Sequence, residues 1–219
     1  MDKKNSQIWE KYYKKLKNKK FWPWTELIRL CKKFVKPKKN IKVLEIGVGN
    51  GANIPFFISE GFKFYGIDSS NHVIKYLKKR FPQIKRNLYF GEFENNIIRD
   101  EYFDIIVDRG AISCGNNSQK ILKIINLAHK NLKKGGIFIG TDWYSKNSTF
   151  YKAKKKFGEE LITFSSGPFK GAGGINFSSI RNIKFYFKKF KILHLEEINK
   201  NNYFNKQKFS TWSIVAKKI

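Results

Sequence analysis

The chain is poor in the residues that most often carry metal or redox chemistry, with two cysteines and three histidines in 219 residues. Cys31 and Cys114 are too far apart and too few for a metal-ligand spacing or a disulfide framework, so two free thiols are expected. His72 and His129 fall in expected helices and His194 in an expected strand, which suits structural roles. No apolar run approaches the roughly 20 residues that span a bilayer. Residues 1 to 20 are polar and lysine-rich, without the apolar core of a signal peptide. The expectation is a cytoplasmic protein with no membrane partner.

Acidic residues are also scarce, 17 against 45 lysines and arginines, for a net charge of +28. A balance of that kind ordinarily points to nucleic acid or an anionic surface. Arginine occurs only at 29, 80, 86, 99, 109 and 181, the lysines are spread along the whole chain, and asparagine, isoleucine and phenylalanine are abundant. That set is what an AT-rich coding sequence produces. The charge therefore implies long-range attraction to anions and argues against specific nucleic-acid recognition.

The length suits one α/β domain. Its most informative stretch is Val43-Leu44-Glu45-Ile46-Gly47-Val48-Gly49-Asn50-Gly51-Ala52-Asn53. An apolar strand runs into three glycines at alternate positions, a turn suited to a strand-to-helix connection where a ligand approaches main-chain N–H groups. Gly47-x-Gly49-x-x-Ala52 satisfies the relaxed dinucleotide fingerprint, and Asp68, closing the next strand, is an acceptor for ribose hydroxyls with either class of ligand. Glu45 separates the two classes. A carboxylate beside the turn repels a pyrophosphate, whereas it can hold an ammonium group.

On Glu45 and the Gly47-x-Gly49-x-Gly51 spacing, the chain resembles the class I S-adenosylmethionine-dependent methyltransferases, whose first motif is (E/D)-x-G-x-G-x-G. Apolar strands at 41–46, 62–67, 87–91, 103–108 and 136–141 alternate with helices at 52–60, 71–80 and 117–132, which implies a parallel sheet covered on both faces. Gly135-Gly136 is the expected turn from the last of these helices into its strand. A helix over 177–190 and strands over 191–198 and 209–217, joined by Asn199 to Asn202, give an antiparallel hairpin. The expected fold is a doubly wound, seven-stranded, mostly parallel sheet of the Rossmann-like methyltransferase type with an antiparallel C-terminal hairpin and an N-terminal helical cap. Within a single domain, 1–38 forms the cap, 39–142 the cofactor-binding core, 143–176 a substrate-side insertion or lid, and 177–219 the last helix and hairpin. The cap holds a helix over 6–20 with Trp9, Tyr12 and Tyr13 on one side, the aromatic sequence Phe21-Trp22-Pro23-Trp24, and a second helix opened by Pro23.

The resemblance implies S-adenosylmethionine as cofactor and S-adenosylhomocysteine as product. By the same resemblance Gly47, Gly49 and Gly51 approach its methionine and ribose part, Glu45 its amino group, Asp68 with Ser69 the ribose, and Glu92 and Phe93 the adenine. Asp108, at the end of the fourth strand, and Asp142, one residue past the fifth, are the catalytic candidates, as substrate-facing or proton-accepting groups. Tyr13, Arg109 and Arg181 are the substrate-binding candidates, since arginine forks suit an anionic acceptor. No metal is expected. Asp108-Arg109-Gly110-Ala111 replaces the (D/N)-P-P-(Y/F) of amine-modifying nucleic-acid enzymes, and Cys114 follows serine and not proline. Together with Trp-x-x-Tyr near the N-terminus, the Asp-Arg-Gly-Ala stretch resembles small bacterial methyltransferases of surface-polysaccharide pathways. The expected reaction is O-methylation of a small polar or anionic acceptor, such as a sugar or phosphate-bearing precursor. An RNA methyltransferase and a non-catalytic nucleotide-binding protein are the alternatives, and both monomer and homodimer stay open.

Overall fold

The computed structural model describes residues 3–15, 22–95, 100–154, 160–167 and 169–219. Seven strands form one sheet: β1 (Lys42–Ile46), β2 (Lys63–Asp68), β3 (Leu88–Phe90), β4 (Phe103–Arg109), β5 (Leu132–Tyr144), β8 (Phe190–Asn202) and β9 (Gln207–Lys218), with β6 (Leu161–Ile162) and β7 (Ile175–Asn176) pairing apart from it. The helices are α1 (Lys3–Lys15), α2 (Thr25–Phe34), α3 (Ile54–Ser59), α4 (Asn71–Arg80), α5 (Ser118–Asn131), α6 (Thr149–Lys154) and α7 (Ile180–Tyr186). The order across the large sheet is β3-β2-β1-β4-β5-β9-β8, parallel except for β9, which runs antiparallel to both its neighbours. The expected doubly wound sheet with a terminal hairpin is the one observed.

Strand alternation divides the core between the two faces of the sheet. Leu44, Ile106 and Phe138 point to one side, where Ile121, Ile124 and Ile125 of α5 and Ile183 of α7 cover them. Val43, Ile105 and Ile139 point to the other, against Leu27 and Leu30 of α2, Ile54 and Phe57 of α3, and Val73 and Leu77 of α4. Burying a leucine or isoleucine of this kind contributes roughly 1.5–3 kcal/mol, so each helix is fixed by its apolar face. Ser70 caps α4 by accepting from Val73 N, and Asn117 caps α5 by accepting from Lys120 N. Each cap satisfies a backbone donor that the helix itself leaves open.

Several local expectations need correction. The cap helix begins at Lys3 and its described part ends at Lys15; residues 16–20 of the expected span, and Phe21, lie outside the described residues. Gly135 and Gly136 do not form a connecting turn. They lie inside β5, which starts at Leu132, and Gly135 at φ 77° accommodates a break in register against β4. The helix expected over 177–190 is confined to Ile180–Tyr186, started by a capping box of Ser179 with Asn182. Asn199 to Asn202 are strand residues paired with Ser210 to Gln207, so the hairpin is longer and turns at 203–206. In its described part the 143–176 stretch is packed: Phe169 and Ile175 form a buried cluster with Ile162, Phe177 and Cys114, and Pro168 lies outside the described residues.

Candidate active site

The strand order reverses direction between β1 and β4, and ligands of open α/β sheets sit beyond the carboxyl ends of strands at such a point. There the structure has a cavity of about 440 Å³ whose wall includes the glycine turn, Asp68, Ser69, Glu92, Phe93, Arg109 and aromatic side chains of the cap. Of the residues singled out from sequence, Tyr13, Glu45, Gly47, Gly49, Asp68, Ser69, Glu92, Phe93 and Arg109 all line it.

Glu45 is buried in β1, and its Oε1 accepts from Asn53 Nδ2 at 2.7 Å. Its Oε2 has no partner. Desolvation, reinforced by Asp108 and Asp68 and opposed by the Asn53 bond, pushes its carboxyl up to about 8. A buried carboxylate oxygen without a donor is costly, and Glu45 is one of the residues that line the cavity. An ammonium group suits that position in both charge and hydrogen bonding.

Asp68 closes β2 with both oxygens engaged by backbone: Gly49 N donates to Oδ2 and Ser70 N to Oδ1, each at 2.8 Å. The carboxyl thus pins the glycine turn to the start of α4 while still reaching the cavity. Burial raises it to about 6 against those two bonds. Gly47 and Gly49 sit at φ 67° and 52°, a region glycine enters freely. A Cβ at Gly47 would fall 2.2 Å from that of Ala111, and one at Gly49 would fall 2.7 Å from the Tyr13 hydroxyl. Gly51 differs from its two neighbours. A Cβ there would meet Leu77 at 2.6 Å and Ile54 at 2.9 Å, so its missing side chain makes room for helix packing, and Gly51 is not among the residues that line the cavity.

Glu92 lines the cavity 3.3 Å from Lys120 Nζ, with Phe93 buried beside it. On the opposite side Arg109, the last residue of β4, lies over Trp24 with the guanidinium carbon 3.4 Å from the ring centroid, a cation–π contact. Its Nε is 2.8 Å from Asp142 Oδ2. α1 roofs the site: Trp9, Tyr12 and Tyr13 face the cavity, while Glu10 accepts from Ser70 Oγ at 2.5 Å and from His72 N at 3.2 Å.

Besides Gly51, three candidates do not reach the cavity wall. Asp108 is 1% exposed, its Oδ1 accepting from Ile112 N at 3.1 Å and its Oδ2 from Trp143 Nε1 at 2.7 Å. Its carboxyl, raised by burial to about 7, holds the 109–115 loop in place from behind. Asp142 sits at φ 55° in a break of register of β5, which turns its side chain onto Arg109. The proton-accepting role read for both from their strand-end positions is not retained. Arg181 belongs to α7, which packs against α5, and is no part of the wall.

The sequence reading missed Asn53 and Asn116. Asn53 directly follows the glycine motif, so its place beside Glu45 was within reach of the pattern. Asn116 donates from Nδ2 to Ile112 O at 3.0 Å and leaves a buried, unpartnered Oδ1 on the cavity wall. Only tertiary structure brings it there. Tyr144 and Cys114 also contribute to the wall, and burial pushes the Cys114 thiol up to about 12, far from the nucleophilic thiolate range.

Comparisons with known proteins agree with this geometry. Residues 37–162 match the methyltransferase domain family. No curated protein matches the sequence. Among solved structures, a methyltransferase of Methanosarcina mazei described as S-adenosylmethionine-dependent superposes with a TM-score of 0.72 at 16% identity, over 90% of this chain and 99% of that one. TehB of Haemophilus influenzae gives 0.63 at 18%, over 96% and 67%. Phosphoethanolamine N-methyltransferase 2 of Haemonchus contortus, solved with S-adenosylmethionine, gives 0.65 at 16%, over 98% and 57%. The family match spans more than half of the chain, across the glycine turn, Asp68 and the 109–115 loop, and the chain accordingly belongs to the methyltransferase domain family.

Proposed function

We propose that the enzyme methylates an oxygen of a small acceptor that already carries negative charge, such as a phosphate-bearing or acidic sugar used as a polysaccharide precursor. The observation that carries this reading is Arg109, which lies over the Trp24 ring at the cavity wall. Methyl transfer is a displacement at an activated sulfonium, so the protein chiefly has to align the acceptor and exclude water. A neutral hydroxyl would also need a base. The two acids read as bases are engaged elsewhere, and the cavity phenols Tyr13 and Tyr144 are pushed upward by burial, which makes them donors. An oxygen that is already anionic requires no base, and these donors together with the guanidinium would orient it.

In this reading Glu45 Oε2 receives the amino group of S-adenosylmethionine, Asp68 and Ser69 face its ribose, and Glu92 with Phe93 flank the adenine. Gly47 and Gly49 leave room for the backbone to approach. The bound cofactor supplies the electrophilic methyl. Tyr13 stands beside Gly49, between the cofactor side of the cavity and the aromatic wall where the acceptor enters. Residues 39–142 form the cofactor-binding core, 1–38 the cap, 143–176 the insertion that lends Tyr144, and 177–219 the closing helix and hairpin.

The test is methyl transfer from labelled S-adenosylmethionine to a panel of phosphorylated, carboxylated, neutral and amino sugars. Turnover confined to the anionic members, with Arg109→Ala raising acceptor KM at least about tenfold, is the expected outcome. Preference for neutral or amino acceptors would overturn the proposal.

A further inference from the structure

Three large aromatic side chains are far more exposed than the rest: Trp22 at 84%, Tyr203 at 87% and Phe204 at 103%. The topology puts them at one end of the molecule. The parallel strands end at the cavity, and β9 starts from that same end. The last β5 pair is Tyr144 with Thr211, whereas β9 pairs with β8 out to Gln207, so the hairpin extends roughly 13 Å further at the usual rise per residue. Support from the body reaches Lys208, whose carbonyl accepts from Ser148 and Thr149. Beyond it the tip is held by its own bonds, Phe204 N and Asn205 N to Asn202 Oδ1 and Gln207 N to Asn205 Oδ1. Trp22 stands two residues before Trp24, which lines the cavity.

The charge of the hairpin tip and of the segment beside it is of one sign. Lys200, Lys206 and Lys208 flank the tip, Lys146 and Lys152 lie on the adjoining 143–154 segment, and neither 199–212 nor 143–154 contains an acid. Glu197, further back on β8, is engaged by Ser145 and by Asn147.

We infer that the hairpin tip at the cavity end of this enzyme docks on an anionic lipid bilayer, with Tyr203 and Phe204 entering the interface and the hairpin lysines among the headgroups. Exposed aromatics are unfavourable in water and favourable at the boundary between headgroups and acyl chains, where the aromatic belts of membrane proteins lie. Lysines near an anionic leaflet add attraction that fades over a Debye length. A bilayer accepts a point insertion of two rings. Single-stranded nucleic acid instead requires a charged groove that tracks its backbone, with stacking faces in succession, and a protruding turn provides neither. Such docking differs from the sequence expectation of no membrane partner and needs no spanning segment, and no helix among the described residues is long and apolar enough to cross a membrane. The inference does not depend on which acceptor is methylated.

Net charge alone would adsorb this protein to any anionic surface, so the test is one that leaves charge unchanged. Co-sedimentation is measured at about 0.15 M ionic strength with vesicles of phosphatidylcholine containing about one-third phosphatidylglycerol, and with pure phosphatidylcholine. The full chain should bind the anionic vesicles, and Tyr203→Ser/Phe204→Ser should weaken that binding at least about tenfold with S-adenosylhomocysteine affinity unchanged. Lys200→Gln/Lys206→Gln/Lys208→Gln should weaken it comparably, and Phe185→Ser, an exposed aromatic on α7, should not. Failure of the full chain to bind, or binding by the tip variant equal to that of the parent, would overturn the inference. Tip-dependent binding of single-stranded RNA without vesicle binding would overturn it in favour of nucleic acid.

Discussion

Glu45 gives the most quantitative handle on the cofactor site. Without ligand its carboxyl lies near pH 8, so at pH 7 about nine in ten molecules carry the proton. A ligand ammonium beside Oε2 favours the ionised form. Binding S-adenosylhomocysteine at pH 7 should therefore release about 0.9 proton, falling to about 0.5 at pH 8. If the bound carboxyl lies below pH 6, affinity should rise about ninefold from pH 6 to 7 and about fivefold from pH 7 to 8. Calorimetry in buffers of different ionisation enthalpy reads the proton count directly. Glu45→Gln keeps the shape and the contact with Asn53 but cannot ionise. It should lose about ten- to a hundredfold in affinity, the range of one charged hydrogen bond, and most of the pH slope. Proton release near zero at pH 7 in the parent, or an unchanged slope in the variant, would refute the assignment of Glu45 to the amino group.

The same shift affects stability. Glu45 has a folded value near 8 against an ordinary 4.5, so the native state retains a proton that the unfolded chain releases, and stability should decline as pH rises through that window. The difference in Tm between Glu45→Gln and parent should therefore grow from pH 5 to pH 8, and a constant difference would contradict it. Gly51→Ala places a Cβ 2.6 Å from Leu77 at φ 76° and should cost about 1–3 kcal/mol, measurable by urea unfolding; an unchanged midpoint would contradict the packing role. Asp68→Ala removes the acceptor for Gly49 N and Ser70 N and should abolish S-adenosylhomocysteine binding in a protein that still unfolds cooperatively. Arg181→Ala should leave acceptor KM unchanged where Arg109→Ala raises it, since only Arg109 lines the cavity.

The parts of this molecule legible in sequence were those governed by local rules. Alternating apolar strands and helices predicted the sheet, and the spacing of Glu45, the glycines and Asp68 predicted the cofactor side of the cavity, because a tight turn and a strand end fix those positions within a few residues. Asp108 and Asp142 went astray for a definite reason. Position at a strand end identifies the catalytic edge of the sheet but not the direction of a side chain, and there one acid is bound by Trp143 and the other is turned by a bulge onto Arg109. Gly51 shares the motif of Gly47 and Gly49 yet faces a helix, a distinction that depends on Leu77, far along the chain. The acceptor side stayed least legible because its wall is assembled from α1, Trp24, the 109–115 loop and Tyr144, which lie far apart in the chain and meet only in the folded molecule.

The most direct test of the account is a crystal structure with S-adenosylhomocysteine bound. The nucleoside should occupy the cavity beyond the carboxyl ends of β1 and β4, with its amino nitrogen about 3 Å from Glu45 Oε2, its ribose hydroxyls on Asp68 and its sulfur facing Arg109 and the aromatic wall. An amino group away from Glu45, or a nucleoside bound outside this cavity, would contradict it.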